Sequence, residues 1–277
     1  MTADKGLDVV MKDINKAGLE LGLSEASQLL GRQVKRGKKS PQQMGEVLNR
    51  ITPTLHECTL EGSDLIVEAV VENPIVKEKV LAQLEKSAPN AVMASNTSTL
   101  MIGGLAYSLE KPENFCGIHF FNPVHKKPLV EVTRGEKTSN STIATAVNYV
   151  LQLGKTPIVI NDCAGFLVNR CSTPYSLAFN QLVVDGGNIA LIDKVMSKGF
   201  GWPMGPATLL DVVGLDTASH CVDVMDEAFP QRLTKPKVNL IKMHNVNGLL
   251  GQKSKHGFYL YQYDKRGRIK ASASEES

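Results

Sequence analysis

A histidine and a glutamate twelve residues apart are the first pair in this 277-residue sequence that could do chemistry. His119 lies in the run Gly117-Ile118-His119-Phe120-Phe121-Asn122-Pro123, and Glu131 lies inside Leu129-Val130-Glu131-Val132-Thr133. A carboxylate among valines is costly to bury unless a partner meets it. His119 is the candidate partner. A carboxylate on one ring nitrogen fixes the tautomer and raises the basicity of the other, which suits a general base near neutral pH. A lone histidine on a strand is more often a satisfied core residue; the glutamate is what sets this one apart.

Three further segments carry polar residues where a strand gives way to a loop or helix. In Ala94-Ser95-Asn96-Thr97-Ser98-Thr99-Leu100, small hydroxyl and amide groups follow a predicted strand, facing the crevice where open α/β sheets bind ligands. Thr97 or Ser98 could equally serve as an ordinary helix N-cap. In Asn161-Asp162-Cys163-Ala164-Gly165-Phe166-Leu167-Val168-Asn169-Arg170, Gly165 permits a sharp helix entry, and Asn169 is expected one turn into the helix. An asparagine there costs helix propensity and wants a partner, in a site or at a domain junction. Asp13 closes the first strand, as does the acid that binds the adenosine ribose in dinucleotide-binding folds. Glu68-Ala69-Val70-Val71-Glu72-Asn73-Pro74 ends the next strand and enters a helix, with Lys77 close behind. Taken singly, each of these is a weak signal.

The elements that must position these residues follow from periodicity. Strands are predicted at 7–11, 64–70, 91–94, 116–120, 129–132 and 157–160, with helical patterns at 16–37 and 74–86. Strands alternating with helices of this length predict a doubly wound α/β domain with a parallel sheet. From Gly165 the sequence reads as helices, broken at 185–187, 199–205 and 229–230, with one late strand at 257–261. The expected domains are therefore 1–161, an α/β unit, and 162–263, an all-helical unit. The charged, Ser-rich 264–277 is predicted to be a disordered tail.

Composition narrows the classes. The net charge of +3 (31 basic minus 28 acidic residues) gives no electrostatic case for nucleic acid or an anionic membrane. The local run Lys35-Arg36 with Lys38-Lys39 reads as a solvated helix end. Five scattered cysteines, without metal-site spacing, read as reduced thiols, and no metal is expected. No apolar stretch approaches the ~20 residues of a membrane span. A cytoplasmic protein is the default expectation, and a matured organellar enzyme would look the same.

Read together and in order, VVMKDI, EAVVENP, ASNTSTL, GIHFFNPVHKKPLVEV, TPIVINDCAGFLVNR and GWPMGPATLLDVVGLDT resemble the 3-hydroxyacyl-CoA dehydrogenase family. The resemblance covers nearly the whole chain. Within the family it runs to the dehydrogenase portion of the multifunctional α-subunit of the bacterial fatty-acid oxidation complex. It implies a Rossmann-like sheet followed by a helical domain, and NAD-dependent oxidation of (S)-3-hydroxyacyl-CoA to 3-oxoacyl-CoA in β-oxidation. It implies that His119 is the general base and Glu131 the carboxylate orienting it, with Ser98 and Asn169 near the substrate oxygen. It implies NAD contacts at Asp13, Val70, Val71, Glu72, Lys77, Ser98 and Asn122. The expected partners are an acyl-CoA substrate and either a second copy of the chain or a larger complex with hydratase and thiolase. The family opens on a strand and a GxGxxG turn that binds the pyrophosphate. No GxGxxG occurs here, so the sheet is expected to be truncated at its N-terminus, with exposed edges on the strands at 7–11 and 64–70. Two alternatives stay open: a non-catalytic fragment with an assembly role, and an NAD enzyme for another β-hydroxyacid.

Overall fold

The computed structural model describes residues 1–233, 236–263 and 269–273. The chain divides into two compact units, Met1–Asp162 and Cys163–Ser277.

The first unit opens with β1 (Val9–Lys12), α1 (Lys16–Lys35), α2 (Pro41–Asn49) and β2 (Ile51–Thr54). Local chemistry sets the helix starts. Asn15 accepts from Gly18 N, and Ser40 and Gln43 form a reciprocal capping box with Pro41 behind it. β1 and β2 pair in parallel and form a sheet of their own. β2 was not foreseen, because Pro53 argues against a strand interior. As an edge strand it tolerates the missing N–H. Leu30, Val47 and Ala3 make a small core beside this pair.

Next come β3 (Leu65–Glu68), α3 (Pro74–Ser87), β4 (Val92–Ser95), α4 (Ile102–Ala106), β5 (Phe115–Phe120), β6 (Leu129–Arg134), α5 (Asn140–Gln152) and β7 (Thr156–Asn161). The five strands form one sheet in the order β3-β4-β5-β6-β7. Three of them are packed by Ala94, Cys116, Ile118, Val130 and Val132 against Ile143, Ala146 and Val150 of α5. Each large aliphatic side chain buried in this way contributes about 1.5–3 kcal/mol. Burial also pushes the Cys116 thiol up to about 12, so it is inert.

The expected parallel sheet holds for β3-β4-β5 and for β6-β7, with one departure between them. β5 and β6 are antiparallel, and β6 and β7 are parallel to each other. Only eight residues join β5 to β6, too few for a parallel crossover of a dozen or more. Among the described residues β1 pairs only with β2, and β3 only with β4. Each therefore has a strand partner on one side only among the described residues.

The second unit contains α6 (Val168–Val184), α7 (Ile189–Lys194), a π-helical turn at Val195–Gly199, α8 (Pro206–Val213), α9 (Leu215–Ala228), α10 (Leu240–Val246), β8 (Tyr259–Tyr263) and β9 (Ile269–Ala273). Its core joins Leu177, Phe179, Leu210, Leu215, Ile241 and Phe258. Two buried aspartates tie it together. Asp193 accepts from Ala207 N, Thr208 N, Thr208 Oγ1 and Tyr259 Oη. Asp211, with no exposed surface, accepts from Phe258 N, Tyr259 N and Tyr261 Oη.

β9 corrects the reading of 264–277 as a disordered tail. Residues 269–273 pair antiparallel with β8, which supplies the partner that the charged, Ser-rich sequence conceals. Residues 264–268 and 274–277 of that segment lie outside the described residues. The unit boundary also falls one residue later than expected. Asp162 belongs to the first unit, because its two oxygens accept Ile102 N and Gly103 N at the start of α4.

Candidate active site

β5 and β6 place His119 and Glu131 directly opposite each other. Directly opposed residues on antiparallel strands bring their side chains together. His119 Nδ1 lies 2.7 Å from Glu131 Oε2, with the glutamate wholly buried and the histidine 7% exposed. The Phe121 ring sits 4.6 Å from the imidazole. Gly117 makes the local packing possible: a Cβ there would come within 2.8 Å of Thr133 and 2.9 Å of Ile102. The pair is built on rigid strands rather than a loop. A carboxylate in this place can hold one imidazole nitrogen and balance the charge of an imidazolium.

The ends of β3 and β4 form a second polar cluster. Glu72 Oε1 accepts from Thr97 Oγ1 (2.6 Å), Ser98 N (2.9 Å), Thr99 N and Thr99 Oγ1 (both 3.0 Å) and, more weakly, Ser98 Oγ (3.3 Å). Thr97 Oγ1 also accepts Leu100 N at 3.0 Å, a capping-type bond, but it closes the turn ahead of α4 rather than the helix itself. α4 has no side-chain cap, and Asp162 takes its first N–H groups. Partial burial alone would raise the Glu72 carboxyl. The hydrogen bonds from Thr97, Ser98 and Thr99, with the Lys77 charge, outweigh it and hold the carboxyl below its ordinary range. Lys77 Nζ reaches Glu68 Oε1 at 2.8 Å, Val70 O at 3.2 Å and Glu72 Oε2 at 3.4 Å.

Asn96 joins the two clusters. Its N–H donates to Glu68 O at 2.8 Å, and its side-chain oxygen accepts Phe120 N at 2.9 Å, one residue past His119. Val70, Glu72, Lys77 and Ser98 thus gather at one end of the sheet, with His119 and Glu131 linked to them. Val71 lies beside them, 67% exposed, and Asn122 is exposed on the loop after β5. Asp13 stands at the end of β1, on the other sheet, where its side chain accepts Asn15 N. Asn169 belongs to the second unit. It lies in the first turn of α6, earlier than the full turn expected, because the helix begins only at Val168. Gly165 takes φ 70° ahead of it, and a Cβ there would meet Met225 Sδ at 2.5 Å. Sequence reasoning passed over Glu68, Ser95 and Asn96. Glu68 carried the signal used for Glu131, an acid in an apolar strand.

No group of three or more His, Cys, Asp or Glu side chains among the described residues could hold a metal. No helix among them is long and apolar enough to cross a membrane. Cys116, Cys163 and Cys171 form no disulfide.

Residues 1–163 match the model of the 3-hydroxyacyl-CoA dehydrogenase NAD-binding domain, and residues 165–261 that of the C-terminal domain. The chain belongs to the 3-hydroxyacyl-CoA dehydrogenase family. Among solved structures it is similar to FadB2 of M. tuberculosis, with 34% identity, 94% of this chain and 93% of that one covered, and a TM-score of 0.89. The (S)-3-hydroxybutyryl-CoA dehydrogenase of Ralstonia eutropha gives 34% identity, coverage of 94% and 92%, and a TM-score of 0.89. The dehydrogenase part of multifunctional enzyme 1 from C. elegans is 26% identical, with coverage of 99% and 61% and a TM-score of 0.64. The family's cofactor is NAD, and the residues at the carboxyl ends of the strands fit one. Val70, Val71 and Ile75 present exposed apolar surface there, at 37%, 67% and 74%, beside the Glu72 carboxylate. Flat rings and ribose hydroxyls suit such a mixed edge.

Proposed function

We propose that this 3-hydroxyacyl-CoA dehydrogenase uses His119 as its general base, oriented by Glu131, in the oxidation of 3-hydroxyacyl-CoA during β-oxidation. The 2.7 Å bond between His119 and a fully buried carboxylate carries the reading. With Nδ1 committed to Glu131, His119 removes the proton of the 3-hydroxyl at Nε2. Glu131 stabilises the imidazolium that results. NAD, when bound, supplies the hydride acceptor. Glu72 holds the 97–99 segment in one shape and so fixes Ser98 for the substrate oxygen. Asn169 is assigned to the same oxygen on its motif. Asp13, Val70, Val71, Glu72, Ser98 and Asn122 are assigned to NAD, and a carboxylate at Asp13 disfavours the 2′-phosphate of NADP. The motif assigns Lys77 as well, but its side chain is 1% exposed, so it acts on the cofactor through Val70 and Glu72. A second copy of the chain, or a complex with hydratase and thiolase activities, is proposed on the same family grounds.

The test is the reduction of acetoacetyl-CoA by NADH, followed for the parent and for His119→Gln. The variant should lose at least ~10²-fold in kcat, with NAD affinity nearly unchanged. Parental turnover by His119→Gln would remove this residue from the proton transfer.

A further inference from the structure

The end of β3 holds an ion pair that the proton transfer does not use. Lys77 and Glu68 meet at 2.8 Å with both side chains 1% exposed. Pairs this deep cost much to desolvate, and apolar residues of similar volume often stabilise as well or better. Stability is therefore a poor reason for this one.

What the pair touches suggests a better reason. Glu68 Oε1 accepts Val70 N at 2.6 Å, and Lys77 Nζ donates to Val70 O at 3.2 Å. Both main-chain polar groups of Val70 are thus held by the two halves of one ion pair. Glu68 Oε2 accepts Ser95 Oγ at 2.6 Å, which ties in the strand leading to Ser98. Lys77 also lies 3.4 Å from Glu72 Oε2, the other oxygen of the carboxylate that gathers residues 97–99. A single acid therefore stands behind Val70, Glu72 and the approach to Ser98.

We propose that Glu68 is the positioning residue of the cofactor edge. Its carboxylate holds Lys77 in place, and the two together set the Val70 backbone and the Glu72 side chain in the shape that NAD meets. Glu68 itself touches neither cofactor nor substrate. The inference rests on the reading that this edge binds NAD.

Calorimetric titration of the whole chain with NAD, with amide exchange on the unliganded protein, tests it. Glu68→Gln should weaken NAD binding about tenfold or more, as small misplacements of binding groups do. It should also speed exchange at Val70, Ser98 and Thr99. If Glu68 merely restrains a lysine that would serve better unbound, affinity will hold or rise, and the proposal fails. A second variant, Glu68→Gln with Lys77→Met, removes both charges, so its melting temperature should lie near the parent's. It should still bind NAD weakly. Parental NAD affinity in that double variant would show the pair to be structural only. A parent chain that does not bind NAD would sink the cofactor reading and this inference with it. That outcome is visible before any variant is made.

Discussion

Two fully buried carboxylates, Glu131 in the α/β unit and Asp211 in the helical unit, look alike in burial and differ in everything else. Glu131 meets an imidazole that can take up and release a proton. Asp211 meets two backbone N–H groups and a tyrosine hydroxyl, none of which changes charge near neutral pH. Burial pushes the Asp211 carboxyl up, opposed by those hydrogen bonds, and it pushes Tyr261 up as well. Burial alone therefore does not single out a reactive acid; the chemistry of the partner separates the two. Asp211 is a staple, drawing the start of β8 onto α8.

The largest effect should come from exchanging each acid for a neutral residue and reading two properties at once. Glu131→Gln should lower kcat ~10²-fold or more, because the imidazolium formed during turnover loses its counter-charge. NAD affinity should barely move. A kcat within a few-fold of the parent would show that the pair is structural, like its counterpart.

Asp211→Ala should do the reverse. It leaves the Phe258 and Tyr259 N–H groups and the Tyr261 hydroxyl without their acceptor, at about 1–3 kcal/mol for each group left unsatisfied. Urea unfolding should show the helical unit losing several times that of an ordinary surface substitution. An unchanged midpoint would mean that water replaces the carboxylate at no cost.

The smallest effect concerns acid. Glu72 sits below its ordinary 4.5 in the folded protein, so its contribution to stability is present above that pH. The contribution is lost as pH falls through the lower, folded value. Asp211 is raised above its ordinary 3.8 and contributes in the opposite sense, losing its share as pH rises through the raised value. Between pH 5 and pH 3, Glu72→Gln should therefore lose less stability than the parent. Identical slopes in acid unfolding would show that the Thr97–Thr99 bonds do not favour the charged carboxylate.

His119 and Glu131 were legible in the sequence because a charge inside a valine run is a visible conflict that only a partner resolves. Strands were legible from their apolar runs, and α3 from the Asn73-Pro74 start. Less legible was anything whose partner is backbone. Asp162, Asp193 and Asp211 all accept main-chain N–H groups, and no residue pattern marks such a donor. The direction of β6 was missed because alternating apolar runs say nothing of orientation; the short connection did. Glu68 was missed for a simpler reason. Its partner, Lys77, stands nine residues on, in the first turn of α3, and no local pattern marks a pair between two elements.

The split between the two sheets bears on how the cofactor edge is held together. Among the described residues no main-chain hydrogen bond joins β1 or β2 to β3 through β7. The β1–β2 lobe has its own small core, and side-chain contacts such as Thr2 Oγ1 to Tyr149 Oη at 2.8 Å help tie it down. Asp13 rides on that lobe, while Glu72 and Ser98 belong to the larger sheet. A dinucleotide that met both would bridge two sheets that share no ladder, adding a tie that the main chain does not supply.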